Sequence, residues 1–88
     1  MKSYSIKIVG KVQGVGFRFY THKKAYELGV KGFVKNMQDG SVYVEAEANP
    51  VIMDEFIGWL HQGPQWARVD DVLVQEMPRN DFERFEIR

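Results

Sequence analysis

The spacing of the hydrophobic residues changes several times along this 88-residue chain, and each change limits the fold. Residues 4–9 alternate between apolar and polar side chains, which is the pattern of a half-buried strand. From Phe17 onward, apolar residues recur at helical spacing, and Gly29 stands where a left-handed residue would end a helix. The sequence therefore predicts a strand followed by a helix. The predicted inner face of this helix consists of Phe17, Thr21, Ala25 and Leu28.

The middle of the chain predicts a hairpin and a second helix. Residues 30–37 and 41–48 are β-rich, and the Asp-Gly pair in the Gln38-Asp39-Gly40 connection favours a tight hairpin turn. Asn49 then offers an N-cap and Pro50 the first position of a helix that ends at Gly63 and Pro64. The residues expected to face the core from this helix are Met53, Phe56, Ile57 and Leu60.

The last part of the chain predicts one more strand and a short extra one. Residues 67–76 have a strand pattern that changes phase at Asp70 and Asp71, where a β-bulge would reconcile the two halves. Phe85 and Ile87 indicate a short C-terminal strand. The order βαββαβ predicts an α+β, ferredoxin-like sandwich in which two helices pack on one face of an antiparallel sheet. We expect residues 1–88 to form a single domain.

The composition excludes several classes of site. The chain has no cysteine, which excludes disulfides, thiolate catalysis and cysteine metal sites. Neither His22 nor His61 has a ligand cluster around it, so we expect no metal. Twelve basic residues balance twelve acidic ones, so we expect neither nucleic acid nor membrane as a partner. The first residues contain no apolar run typical of a signal peptide or membrane span, and we expect a cytoplasmic protein.

The stretch GKVQGVGFR, residues 10–18, contains the strongest indication of an anion site. Gly10, Gly14 and Gly16 mark a loop whose N–H groups can point into one concavity at a helix N-terminus. Arg18 can donate two parallel hydrogen bonds to a phosphate, which would offset its unfavourable position in the first helical turn. A glycine-rich turn with a solvated arginine explains the residues equally well. The P-loop and dinucleotide-binding motifs do not match.

Three motifs together resemble a known family. GKVQGVGFR at 10–18, GFVKN at 32–36 and DGSV at 39–42 are similar to the acylphosphatases, and the resemblance covers nearly the whole chain. It implies a metal-independent hydrolase that cleaves an acyl phosphate into a carboxylate and inorganic phosphate, with no cofactor. It also implies a monomer whose product, inorganic phosphate, is a competitive inhibitor.

The resemblance also implies roles for individual residues. Arg18 matches the family's arginine that binds phosphoryl oxygens, and Asn36 matches the asparagine that holds the attacking water. Ser41 takes the position of a hydroxyl that supports this asparagine in some members. In the family, the substrate phosphate itself is proposed to accept the proton of the water. The loop positions whose backbone N–H groups would hold the phosphate are Gln13, Gly14, Val15, Gly16, Phe17 and Arg18.

Two other functions agree with parts of the sequence. A phosphate- or acyl-phosphate-binding module without turnover would share the fold, but the presence of both Arg18 and Asn36 argues against it. An RNA-binding module also shares the topology, and Lys31-Gly32-Phe33 begins like its RNP1 motif. The match then ends, because Val34 and Lys35 replace the small and aromatic residues that the motif requires.

Overall fold

A computed structural model describes residues 1–88 and confirms the predicted order of elements, including the extra strand. Most predicted boundaries lie within a few residues of the observed ones. The elements are β1 (Lys2–Lys11), α1 (Phe17–Leu28), β2 (Lys31–Asn36), β3 (Val42–Ala48), α2 (Pro50–Gln62), β4 (Arg68–Glu76) and β5 (Phe85–Ile87).

The strands form one sheet in the order β4-β1-β3-β2-β5. The pairs β1–β3, β1–β4 and β2–β3 are antiparallel, as predicted, but β5 lies parallel to β2. The predicted antiparallel sheet is therefore antiparallel over four strands and mixed at one edge. The topology explains the difference: β4 ends at the same end of the sheet where β2 begins, so residues 77–84 cross this end and β5 continues alongside β2.

The hydrophobic core lies between the sheet and the two helices. Ile6, Val34 and Val44 lie in one row across three strands and are completely buried. The helices cover this face of the sheet with the predicted residues, except that Leu28 and Ile57 are only partly buried. Neither helix combines the length and apolar character that crossing a membrane requires. The fully buried residues of the two helical faces are Phe17, Thr21, Ala25, Met53, Phe56 and Leu60.

The bulge predicted in β4 is confirmed, and it explains Gly10. Val9 lies opposite Asp71 and Gly10 opposite Val69, so Asp70 is the additional residue. The sequence places Gly10 in the loop, but it lies inside β1, where a Cβ atom would overlap the carbonyl oxygen of Arg68. A glycine is required here because the bulge brings the two backbones too close for any side chain.

Glu47 is the one acidic residue whose side chain is buried, and its burial differs from the sequence pattern. The alternation in β3 places it on the face away from the helices, yet Glu47 is 1% exposed. Its carboxylate accepts hydrogen bonds from Ser3 Oγ at 2.7 Å, from the backbone N of Phe82 at 2.9 Å and of Asp81 at 3.2 Å, and from the backbone N of Asn80. The carboxylate thereby fixes the segment that leads to β5.

The same contacts determine the ionisation of Glu47. Burial alone would raise the pKa of the Glu47 carboxyl, because it penalises the charged form. Hydrogen bonds from the Asn80 amide, the Ser3 hydroxyl and the Phe82 and Asp81 amides outweigh burial and hold this pKa below its ordinary value. The group is therefore a buried anion whose charge is compensated by several donors.

Replacing this carboxylate should destabilise the fold. In Glu47→Gln, the new amide NH₂ group faces backbone donors, and at least one buried donor loses its acceptor. We expect the free energy of unfolding in urea to fall by about 1–3 kcal/mol. The matched control is Glu55→Gln, an exposed position on α2, which should change it by less than about 0.5 kcal/mol. Equal stability of the two variants would contradict the structural role of Glu47.

The stabilisation by Glu47 should also depend on pH. Since its pKa is lower in the folded state, the unfolded chain takes up the proton first, at about pH 4.3. The contribution is complete above that pH and is lost as the pH falls through the lower pKa of the folded state. We therefore expect the stability difference between the wild type and Glu47→Gln to narrow below about pH 4.3 in urea titrations at several pH values. A constant difference down to acid pH would contradict the assignment.

Candidate active site

The loop between β1 and α1 is fixed at both ends by buried side chains. Val12 and Phe17 belong to the core, and the ring of Phe17 packs against that of Trp59 with centroids 5.9 Å apart. Val15 lies between them and packs partly against the same core. Gly14 and Gly16, by contrast, are exposed. The backbone of the loop is thus held in place while its centre remains open to solvent.

The two exposed glycines have left-handed backbone conformations. Gly14 has φ 75° and Gly16 has φ 78°, values that cost other residues free energy. Gly16 is the N-cap of α1 and has no side chain that could occupy the first amides of the helix. These conformations are typical of a backbone nest whose N–H groups converge on an anion.

The N–H groups from Gln13 to Phe19 all lack a hydrogen-bond acceptor within the chain. The first hydrogen bond of α1 runs from the backbone N of Tyr20 to the carbonyl of Gly16, at 3.0 Å. No acidic side chain lies in the first turn to compensate the positive end of the helix dipole. Open donors and uncompensated positive potential are the two features that an anion site at a helix N-terminus requires.

Arg18 extends from the first turn of α1 and is largely free. The side chain is exposed, and its Nη1 donates one long hydrogen bond, 3.3 Å, to the main-chain oxygen of Arg88. Arg88 follows β5 and is held by its own backbone N, which donates to the carbonyl of Val34 at 2.8 Å. The remaining guanidinium N–H groups of Arg18 can bind the oxygens of a phosphoryl group.

Asn36 lies at the end of β2, opposite Val42, and faces the same pocket as Arg18. Its side chain is exposed and makes no hydrogen bond within the chain, so its amide can bind a ligand or water. The pocket has a volume of ≈ 200 Å³. The structure thus brings Gly16 and Phe17 of the loop together with Arg18 and Asn36, whereas the predicted loop residues Gln13, Gly14 and Val15 do not line this pocket. The residues that line the pocket are Val12, Gly16, Phe17, Arg18, Phe19, Asn36 and Ile87.

Gln13 connects the loop to the β2–β3 turn, a contact that the sequence did not predict. Its side-chain Nε2 donates to the carbonyl oxygens of Met37 and Ser41, both at 2.8 Å. The side chain of Gln13 is therefore used within the protein, and only its backbone N–H is free for an anion. Because Met37 directly follows Asn36, this double hydrogen bond fixes Asn36 relative to the loop.

Ser41 has a different partner from the expected one. The family resemblance places its hydroxyl as a support for Asn36, but Ser41 Oγ donates to Asp39 Oδ1 at 2.6 Å, and the backbone N of Ser41 donates to the same oxygen at 3.0 Å. Local geometry explains this, since an aspartate two residues earlier closes a tight turn. The pKa of the Asp39 carboxyl is held well below its usual range, first by the Lys7 ammonium, which lies 2.8 Å away, and then by the two donors of Ser41. No hydrogen bond joins the Ser41 and Asn36 side chains, and Ser41 orders the turn that follows Asn36.

Other parts of the molecule offer little for chemistry. No three histidine or acidic side chains come together in a way that could hold a metal ion. The imidazole of His22 packs against the ring of Phe85, with centroids 6.2 Å apart. A larger cavity of ≈ 520 Å³ lies on the sheet face opposite the helices, beside Ser5, Lys7 and Tyr43, and none of the predicted site residues lines it.

Comparison with known proteins agrees with this geometry. The sequence model of the acylphosphatase family matches residues 4–87. An acylphosphatase of Yersinia pseudotuberculosis is 48% identical over 82 residues, which cover 92% of this chain and 89% of that protein. An acylphosphatase of Thermotoga petrophila is 43% identical over 88 residues, covering 100% and 98% of the two chains. The crystal structure of acylphosphatase from Bacillus subtilis has a TM-score of 0.95 at 34% identity, covering 99% of this chain and 98% of that one.

These relatives confirm the resemblance that the three sequence motifs indicate. The similarity extends over almost the full length of both partners, in sequence and in fold, so it does not depend on one short motif. The chain belongs to the acylphosphatase family of enzymes.

Proposed function

We propose that this enzyme hydrolyses acyl phosphates by direct in-line attack of a water molecule. Asn36 positions the water, and the backbone amides of residues 13–18 together with Arg18 hold the phosphoryl group. One observation carries the proposal: the unbonded backbone amides of Gly16 and Phe17, the largely free guanidinium of Arg18 and the unbonded carboxamide of Asn36 meet in a single pocket. Membership of the acylphosphatase family supports the overall reaction.

The loop suits the electrostatic part of this reaction. In a loose phosphoryl-transfer transition state, charge is spread over the three non-bridging oxygens, and catalysis consists mainly of positioning and charge stabilisation. Amides held by the buried Val12 and Phe17 need little reorganisation when the charge develops. Arg18 adds a full positive charge to these dipoles.

Asn36 suits the positioning of the nucleophile but not its deprotonation. A carboxamide does not titrate, yet it can accept from and donate to one water molecule and so fix its line of attack. As the new oxygen–phosphorus bond forms, the bond between phosphorus and the acyl oxygen breaks, and the carboxylate leaves with the electron pair. The proton of the water passes to a phosphoryl oxygen, so no side chain has to act as a base.

The alternative is a module that binds phosphate or acyl phosphate without turnover. It would use the same loop and Arg18, and it differs only in what Asn36 does. Because the Asn36 side chain is exposed and unbonded at the pocket, a structural role for it has little support. We also propose that inorganic phosphate competes with the substrate, since it would occupy the same amides, and that the protein acts as a monomer.

Substitutions at the two side chains should separate binding from turnover. Asn36→Ala should lower the release of phosphate from benzoyl phosphate by at least about 10²–10³, because the attacking water loses its position. Inorganic phosphate should still bind to this variant and raise its Tm, because the loop and Arg18 are intact. Arg18→Ala should lose turnover to at least the same extent and should also lose the phosphate-dependent rise in Tm.

Matched controls lie at the opposite end of the sheet. Asn80→Ala and Arg79→Ala change the same residue types at exposed positions in the 77–84 segment, and both should keep wild-type turnover. Near-normal turnover in Asn36→Ala would contradict the positioning of water by Asn36. Unaltered phosphate binding in Arg18→Ala would contradict the role of the guanidinium.

The mechanism requires no metal ion. We expect the rate of benzoyl phosphate hydrolysis to be unchanged when EDTA is added to protein purified without added metal, because the loop and Arg18 supply the positive potential. Measuring phosphate release with and without excess EDTA tests this directly. A rate that falls with EDTA and recovers with a divalent cation would contradict the metal-free mechanism.

A further inference from the structure

Two apolar side chains of the active-site pocket have no role in holding the phosphoryl group. Phe19 is 60% exposed and Ile87 is 46% exposed, whereas the other large apolar lining residues, Val12 and Phe17, are buried. The buried pair forms the floor of the pocket, and the exposed pair forms its rim. Pockets that bind small molecules are lined largely by apolar and aromatic side chains, so these two residues are candidates for contact with a ligand.

The position of the rim relative to the loop decides which part of the substrate it would meet. The loop amides and Arg18 take the phosphoryl oxygens, and Asn36 takes the water, so every polar group that lines the pocket has a role. The acyl group is joined to the phosphorus through the bridging oxygen and extends outward past the rim. Phe19 and Ile87 are the exposed side chains that remain to contact it.

Phe19 is held in a defined orientation by its neighbour. The rings of Phe19 and Tyr20 pack edge to face, with centroids 5.1 Å apart and an interplanar angle of 83°. Tyr20 in turn packs over Gly16, where a Cβ atom would lie 3.3 Å from the tyrosine ring. An aromatic ring that is already oriented loses little entropy when a flat group stacks on it.

The charge of the pocket lining also favours an apolar acyl group. Arg18 is the sole charged residue that lines the pocket. In the proposed complex its positive charge is paired with the phosphoryl group. No second cation lines the pocket, so an anionic group on the acyl portion of a substrate would have no partner among these residues. An apolar acyl group would instead cover the exposed surface of Phe19 and Ile87.

We propose that Phe19 and Ile87 form a binding surface for the acyl group, so that the enzyme favours acyl phosphates with a flat apolar acyl group over small or anionic ones. The inference rests on the function proposed above, because an acyl group is present only if the substrate is an acyl phosphate. It identifies Phe19 as a residue that determines specificity.

The test compares kcat/KM for benzoyl phosphate and acetyl phosphate in the wild type and in Phe19→Ala. We expect the ratio of benzoyl to acetyl to fall by about three- to tenfold in Phe19→Ala, the effect of losing one aromatic contact. The side chain is mostly exposed, so the variant should fold. Tyr26→Ala is the matched control, since Tyr26 is an aromatic residue on the same helix, 83% exposed and outside this pocket, and its ratio should equal that of the wild type.

A second variant tests whether a positive charge at the rim makes an anionic acyl group more favourable. Phe19→Lys places a cation at the rim and should raise kcat/KM for succinyl phosphate relative to acetyl phosphate. Unchanged ratios in both Phe19→Ala and Phe19→Lys would overturn the acyl-binding surface while leaving the hydrolysis of acyl phosphates intact. A wild type that hydrolyses none of the three substrates would instead refute the proposed function, and this inference with it.

Discussion

The unpaired backbone N–H groups from Gln13 to Phe19 are the constraint around which the rest of the structure is arranged. Burying these seven amides without acceptors would cost about 7–21 kcal/mol in total, at about 1–3 kcal/mol each, so this segment has to face solvent or an anion. An exposed segment is normally mobile, and a mobile segment cannot hold donors in a fixed array. The protein resolves this conflict by burying Val12 and Phe17 on either side of the exposed glycines.

The other half of the site is brought to this loop by contacts that are distant in sequence. Gln13 bonds the turn that follows β2, which fixes Asn36 beside the loop. Ile87 reaches the pocket because β5 pairs with β2, and β5 can do so because residues 77–84 cross the end of the sheet. Glu47 holds that crossing segment through three backbone amides. A buried carboxylate at the far end of β3 therefore helps to place one wall of the pocket.

The features that the sequence predicts correctly are those that repeat or that use a local motif. The alternation in residues 4–9, the helical spacing from Phe17 and the Asp-Gly turn all follow from short-range geometry, and the structure confirms them. The burial of Glu47 could not be predicted, because alternation alone places it on the open face and residues 77–84 have no periodicity that shows them folding over it. The hydrogen bond from Ser41 to Asp39 was not predicted either, because the motif that contains Ser41 does not show which acceptor its hydroxyl will find.

The residues that line the pocket limit which leaving groups the reaction can release. Arg18 is the only charged residue that lines the pocket, and no carboxyl, imidazole or phenol group lines it that could act as a general acid. Under the proposed mechanism, no lining side chain protonates the departing oxygen, so the leaving group departs as an anion. A carboxylate can do this readily, because its conjugate acid has a pKa of about 4, whereas the alkoxide of an ordinary phosphate ester cannot. Under the proposed mechanism, the absence of a general acid makes the enzyme selective for the acyl phosphate bond, and the apolar rim then acts on the acyl group attached to it.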